Sequence, residues 1–162
     1  MKLTSILTGA IAAAAMAVAA YAGGHEPTKV AFVYVGPKDD GGWSQQHHLM
    51  ALEMVDHFGD SVEFTYLESV PEAESERAFT QLALAGNDII FSTSFGYMDP
   101  MLAVAEKFPD IKFEHATGYK TSVNMSNYGA RFYEGRAIMG HLAGRMTETN
   151  KIGYIASFPI PE

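Results

Sequence analysis

The chain has 162 residues, 48% of them hydrophobic and 19% charged, with a formal net charge of −8 and no cysteine. That length suffices for one domain with a sizeable core, and the missing cysteine excludes a disulfide framework or a lipid-modified cysteine. The acidic balance argues against nucleic acid and anionic membrane surfaces as partners.

In chain order, Lys2 precedes an apolar, alanine-rich run over 6–20, and Ala20-Tyr21-Ala22 gives the small-x-small pattern that signal peptidase reads. Residues 1–22 are therefore expected to be a cleavable signal peptide and the mature protein periplasmic. No membrane insertion is expected after cleavage, because no later segment approaches the ~20 consecutive apolar residues of a bilayer crossing. Residues 28–35, TKVAFVYV, are a near-continuous β-branched and aromatic run, the pattern of an interior strand buried on both faces. An acidic, glycine-bearing loop over 36–42 follows. Then Trp43, His47, Met50, Ala51, Met54, Val55 and Phe58 form one helical stripe that Gly59 ends, predicting a helix with that stripe in the core.

A second strand is predicted over 62–67, followed by a helix to about 85 in which Ser69 caps and Glu72 closes a capping box. A third strand over 88–92 leads to a Ser/Thr/Gly/aromatic loop, and Asp99-Pro100 reads as an N-cap with proline in the first helical position. A fourth strand over 111–115, an extended polar stretch over 123–128, a helix over 133–146 and a strand over 151–156 complete the pattern. The alternation predicts an α/β fold, a doubly wound parallel sheet.

Loops that follow parallel strands lie where open α/β sheets bind ligands. Four are predicted there: 36–42, 93–97, 116–122 and 157–159. Asp39 and Asp40 offer acceptors for hydroxyls or ring N–H groups, and Trp43, Phe95 and Tyr97 offer faces for a planar ring, with Phe95 and Tyr97 expected to be exposed. Either aspartate serves equally as a turn residue or helix cap, and Trp43 fits the core or the cleft mouth. Neighbouring aspartates point in different directions, so no acid–base pair is readable and no catalytic residue is assigned. His47 and His48 cannot share a helix face, so no metal site is assigned, and the histidines are read as surface or edge residues. The first loop lacks the glycine spacing of a phosphate cradle, and the third strand lacks the acceptor aspartate of a phospho-receiver domain. Gly140 and Gly144 are expected to let the last helix press closely on its sheet. No cofactor is expected.

The runs VAFVYVGPKDDGGWSQQH, AEKFPDIKFEHATGY and FYEGRAIMGHLAGRMTETNKIGYIASFPIPE resemble the basic membrane protein family of ABC-transporter solute-binding proteins, which includes bacterial purine-nucleoside receptors. The resemblance implies a type I periplasmic-binding-protein fold whose two lobes close on a ligand. It implies a first lobe over 23–127, a hinge crossing and the beginning of a second lobe over 128–162, and a C-terminally truncated fragment, since family members are longer. If these residues were the whole protein, weak binding and bare apolar surface on the final helix and strand are expected. The family's first-loop pattern falls on Asp39, Asp40, Trp43 and Ser44, where Trp43-Ser44 replaces the Phe-Asn of nucleoside-binding members. Ser94, Phe95, Gly96 and Tyr97 resemble its second ligand-facing loop, and Gly118 and Tyr119 its third. The implied partners of this monomer are a purine base or nucleoside and an ABC-transporter permease; a sensor presenting its ligand to a membrane receptor is the alternative.

Overall fold

In a computed structural model describing residues 26–156, the chain builds one five-stranded, all-parallel sheet. The expected signal peptide over 1–22 and the expected loop over 157–159 lie outside the described residues. Strands β1 (Thr28–Val33), β2 (Val62–Leu67), β3 (Ile89–Ser92), β4 (Lys112–Ala116) and β5 (Met125–Tyr128) stand in the order β2-β1-β3-β4-β5. Helices α1 (Trp43–Phe58), α2 (Ser75–Leu84) and α3 (Met98–Lys107) connect the first four strands, and α4 (Phe132–Met146) follows β5.

β1 is buried on both faces, as its unbroken apolar run requires. Ala31 and Val33 join Phe79, Leu82, Met101 and Val104 of α2 and α3 in one core, while Val30, Phe32 and Tyr34 face Ala51 of α1 in another. Helices thus cover both faces and the sheet is doubly wound. The chain moves from β1 outward to β2, then returns to β3 on the other side of β1. The direction of winding reverses between β1 and β3, so the loops leaving those strands part there and form a crevice.

Several expectations are corrected. The buried face of α1 is Ser44, His47 and Ala51, while Met50 and Phe58 stay exposed, because the helix packs chiefly over β2 and β1. No capping box forms at Ser69 and Glu72: Ser69 takes a left-handed φ of 55°, and a 3-10 turn over Glu72–Glu74 leads into α2. Helix α3 starts at Met98, so Asp99 and Pro100 lie inside its first turn, and the Asp99 carboxylate pairs with Lys120 at 2.6 Å. The extended stretch before α4 joins the sheet as β5. Residues 151–156 form no strand and pair with none of the strands among the described residues. Gly140 and Gly144 face open space, and α4 buries no residue, leaving Ile138, Met139, Leu142 and Met146 exposed.

Candidate functional site

The loops after β1, β3 and β4 meet at one edge of the sheet, and Trp43 ties the first two together. It is the first residue of α1, yet its indole Nε1 donates a 2.5 Å hydrogen bond to the Thr93 carbonyl at the end of β3. That bond crosses the point where the strand order reverses. The ring packs edge-on against His47 at 4.6 Å and meets Phe132 at 5.8 Å, and the residue remains 37% exposed. A tethered indole that keeps part of its surface accessible is pre-oriented for stacking.

The structure separates the two aspartates. Asp40, exposed like its neighbour, turns its carboxylate onto the start of α1 and accepts backbone N–H bonds from Gly42 at 2.8 Å and from Ser44 and Gln45 at 3.0 Å, which satisfies the orphan donors there. Burial alone would raise its pKa, but these N–H groups outweigh it and hold the carboxyl down at about 2. Asp39 is exposed and has no hydrogen-bond partner among the described residues, so its oxygens are available at the rim. Ser44 is fully buried, with its Oγ accepting from the Gly36 N–H at 3.2 Å, and serves to close the first loop.

In the second loop, Ser94, Phe95 and Gly96 are partly accessible, but Tyr97 is fully buried, contrary to its expected exposure. Its ring packs edge-on to Phe79 and its hydroxyl donates to the Val70 carbonyl, because the 3-10 turn over Phe95–Tyr97 directs it under the loop. Phe95 lies 6.2 Å from Tyr119 of the third loop, and Tyr119 is 66% exposed. Of the three expected aromatic faces Trp43 and Phe95 stay accessible, and Tyr119 of the third loop lies beside Phe95 at the rim. Gly118 presses against a buried imidazole: a Cβ there would sit 2.9 Å from His115 Cε1 and 2.6 Å from Asn127 Oδ1.

His115 is a feature the sequence reading missed. It is 0% exposed, and both ring nitrogens lack a hydrogen-bond partner, as does Asn127 Oδ1 beside it. Burial lowers its pKa. His47 is also buried, with Nδ1 donating to the Trp43 carbonyl at 2.8 Å, and burial lowers its pKa too. Two histidines expected at the surface are thus interior. For His115 the signal was present: in KFEHA it alternates with Phe113, which puts both on the core face of β4. Next to these residues a pocket of about 380 Å³ opens between Thr117, Gly118, Asn127, Tyr128, Phe132 and Arg136. Thr117 there takes a left-handed φ of 63°, uncommon for a β-branched residue. Among the described residues no group of three His, Asp or Glu side chains could hold a metal, and no helix is long and apolar enough to cross a membrane.

Comparison with known proteins agrees with this geometry. Residues 27–162 match the family described as "ABC transporter substrate-binding protein PnrA-like". A purine-binding protein of Brucella abortus is 56% identical over 138 residues, covering 85% of this chain and 39% of that protein. A protein of Haloferax volcanii, provisionally named an ABC transporter glucose-binding protein, is 50% identical over 137 residues, covering 85% of this chain and 35% of its own. The chain thus spans less than two-fifths of the length of either relative. Among solved structures, a solute-binding protein from Aeropyrum pernix superposes with a TM-score of 0.65 at 21% identity, over 73% of this chain and 32% of that one. One from Conexibacter woesei gives 0.62 at 22% identity, over 72% of this chain and 40% of that one. At such identities these two speak for the fold alone.

Proposed function

The chain belongs to the PnrA-like family of ABC transporter substrate-binding proteins, and from that premise we propose that it is the periplasmic solute-binding component of an importer for a purine base or nucleoside. The observation that carries this reading is the Trp43 indole pinned to the Thr93 carbonyl across the reversal point while the residue stays 37% exposed. The 56% identity to a protein named as purine-binding supports the ligand class. In this reading residues 1–22 direct export, 23–127 form the first lobe, and 128–162 cross the hinge and begin the second.

The flat ring of the ligand stacks on Trp43, with Phe95 and Tyr119 at the far rim. Asp39 and the backbone of Ser94, Gly96 and Gly118 meet its polar edge, while Asp40, Ser44 and Tyr97 hold the loops in place. No bond is made or broken. A ligand that touches both lobes favours the closed state by its differential affinity, and the closed monomer delivers it to a membrane permease.

A sugar is the second reading, favoured by the 50% identity to the protein named as glucose-binding. Thermal shift and calorimetry of the intact gene product against hypoxanthine, adenine, inosine, adenosine and glucose separate the two. A ligand at one hundred times its Kd stabilises by about 2.7 kcal/mol, so a purine should raise Tm and glucose leave it unchanged. A response to glucose alone overturns the purine assignment, and turnover of any of these compounds overturns the transport reading.

A further inference from the structure

The connection from β2 to α2 carries no residue assigned to ligand contact, yet it grips both of the loops that flank Trp43. Glu68 Oε2 accepts the Lys38 backbone N–H at 2.7 Å, and Glu68 Oε1 lies 3.6 Å from Lys38 Nζ. The next residue, Ser69, donates its N–H to the Gly36 carbonyl at 3.1 Å, and Val70 donates to the Tyr34 carbonyl at 3.1 Å. These contacts hold the first loop. Three residues on, Glu72 Oε1 accepts from Ser94 Oγ at 2.6 Å and from the Gly96 N–H at 3.2 Å, and the Val70 carbonyl receives the Tyr97 hydroxyl. These hold the second.

The local backbone explains how one short segment reaches both ways. Ser69 adopts the left-handed conformation, which a short polar residue tolerates better than a bulky one. That bend parts the side chains on either side of it, so that Glu68 engages the first loop and Glu72 the second. Gly96 completes the fit: a Cβ at that position would collide with the Glu72 carboxylate, so only glycine lets the carboxylate lie against the loop. Hydrogen bonds from backbone N–H groups to a carboxylate are charge-assisted and outweigh an exposed ion pair of the Lys38–Glu68 kind.

We infer that Glu68 and Glu72 are positioning residues: the 68–72 segment clamps the first and second loops on either side of Trp43 and so sets the affinity of the cleft. The inference rests on the binding role given above to those loops. Without the clamp the ligand must order them itself, and that cost appears as lost affinity.

Two measurements on the intact gene product test it, with Glu68→Ala, Glu72→Ala and the conservative Glu72→Gln, whose amide oxygen can still accept. Backbone hydrogen exchange reads the clamp without any ligand: Glu72→Ala should speed exchange at Gly96 and Tyr97 but not at Lys38, and Glu68→Ala should do the reverse. Calorimetry with hypoxanthine reads the consequence: each alanine variant should weaken binding about tenfold, with Glu72→Gln recovering most of the loss. Unchanged exchange in both loops overturns the inference, as does faster exchange with undiminished affinity. If the wild-type protein binds neither hypoxanthine nor any other purine, the ligand assignment fails, and the affinity arm is then read with glucose while the exchange arm stands unchanged.

Discussion

Replacing Gly118 by alanine tests how tightly the third loop is seated. The added Cβ would lie 2.9 Å from His115 Cε1 and 2.6 Å from Asn127 Oδ1, against the ~3.5–4.0 Å at which carbon atoms rest. Something must therefore move by roughly 0.5–1 Å. The imidazole cannot swing into solvent, since His115 is fully buried in register with Ser92 on one side and Asn127 on the other. Asn127 is tethered through its amide to the Lys120 carbonyl at 3.0 Å. The loop must lift instead, straining that bond and the contact from the Tyr119 N–H to Met98 Sδ at 3.4 Å. Overpacking costs about 1–3 kcal/mol and a weakened hydrogen bond about 1 kcal/mol, so Gly118→Ala should destabilise by about 2–4 kcal/mol. Urea denaturation measures this, with the m-value as a check that the unfolding remains two-state. Truncating the ring with His115→Ala makes room for the new methyl group, so the double variant should be more stable than the sum of the single losses implies, by about 0.5–3 kcal/mol. Strict additivity, or a Gly118→Ala cost under about 0.5 kcal/mol, would refute the close approach.

Trp43→Phe keeps an aromatic face but removes the donor to Thr93, so it should cost about 1 kcal/mol of stability and weaken purine binding, whereas Trp43→Ala should abolish the ligand-induced rise in Tm; an unchanged rise assigns the ring to the core. The Asn124 amide nitrogen lies 3.0 Å from each of the Ala105, Phe108 and Ile111 carbonyls and ties the start of β5 to the end of α3 and the turn that follows it. Asn124→Ala should therefore cost about 1–3 kcal/mol, and Asn124→Asp, which has no N–H to give, should not rescue it in the same denaturation assay. The pH dependence has two windows. His47 and His115 have folded pKa values lowered by burial, so the unfolded chain binds more protons below about pH 6.5: stability is complete above that value and declines as pH falls. Asp40 adds a second loss between its ordinary value of 3.8 and about 2. Tm measured from pH 8 to 5 should fall on the acid side, with a shallower slope in His115→Gln; an equal slope removes His115 as a cause.

The parts of the fold written in apolar runs and breakers were legible in the sequence. TKVAFVYV could only be an interior strand, and Gly59 and Gly86, at φ of 53° and 80°, end α1 and α2 where the pattern placed the stops. What escaped was set by contacts across the sheet edge. Ser69 and Glu72 have the spacing of a capping box, but Glu72 finds Ser94 and Gly96, more than twenty residues away, and the local motif loses to the long-range one. Tyr97 sits among serine and glycine, yet Phe79 and the Val70 carbonyl bury it. Of the adjacent aspartates, the sequence suggested divergent directions without assigning them; three N–H groups at the start of α1 select Asp40. The strand expected over 151–156 has the right residues but pairs with none of the strands among the described residues.

The same three N–H groups bear on the chemistry of the ligand. The start of a helix is a ready-made anion site, because its first N–H groups point outward and its dipole favours negative charge. At α1 that site is already filled by the chain itself, since Asp40 takes the N–H groups of Gly42, Ser44 and Gln45, and the low pKa of its carboxyl keeps it filled at any physiological pH. A phosphate arriving at the crevice would find these donors spent and Asp39 opposing it, so a nucleotide is disfavoured relative to its uncharged base or nucleoside. Neutrality alone does not separate a purine from a hexose, for each presents hydroxyl or N–H donors to Asp39 and a face to an indole. The indole is where they differ. A purine can lay a flat π-face of two fused rings on Trp43, whereas a hexose offers only C–H groups, so the loss of affinity on Trp43→Leu, which retains apolar bulk but no π-face, should be steep for a purine and shallow for a sugar.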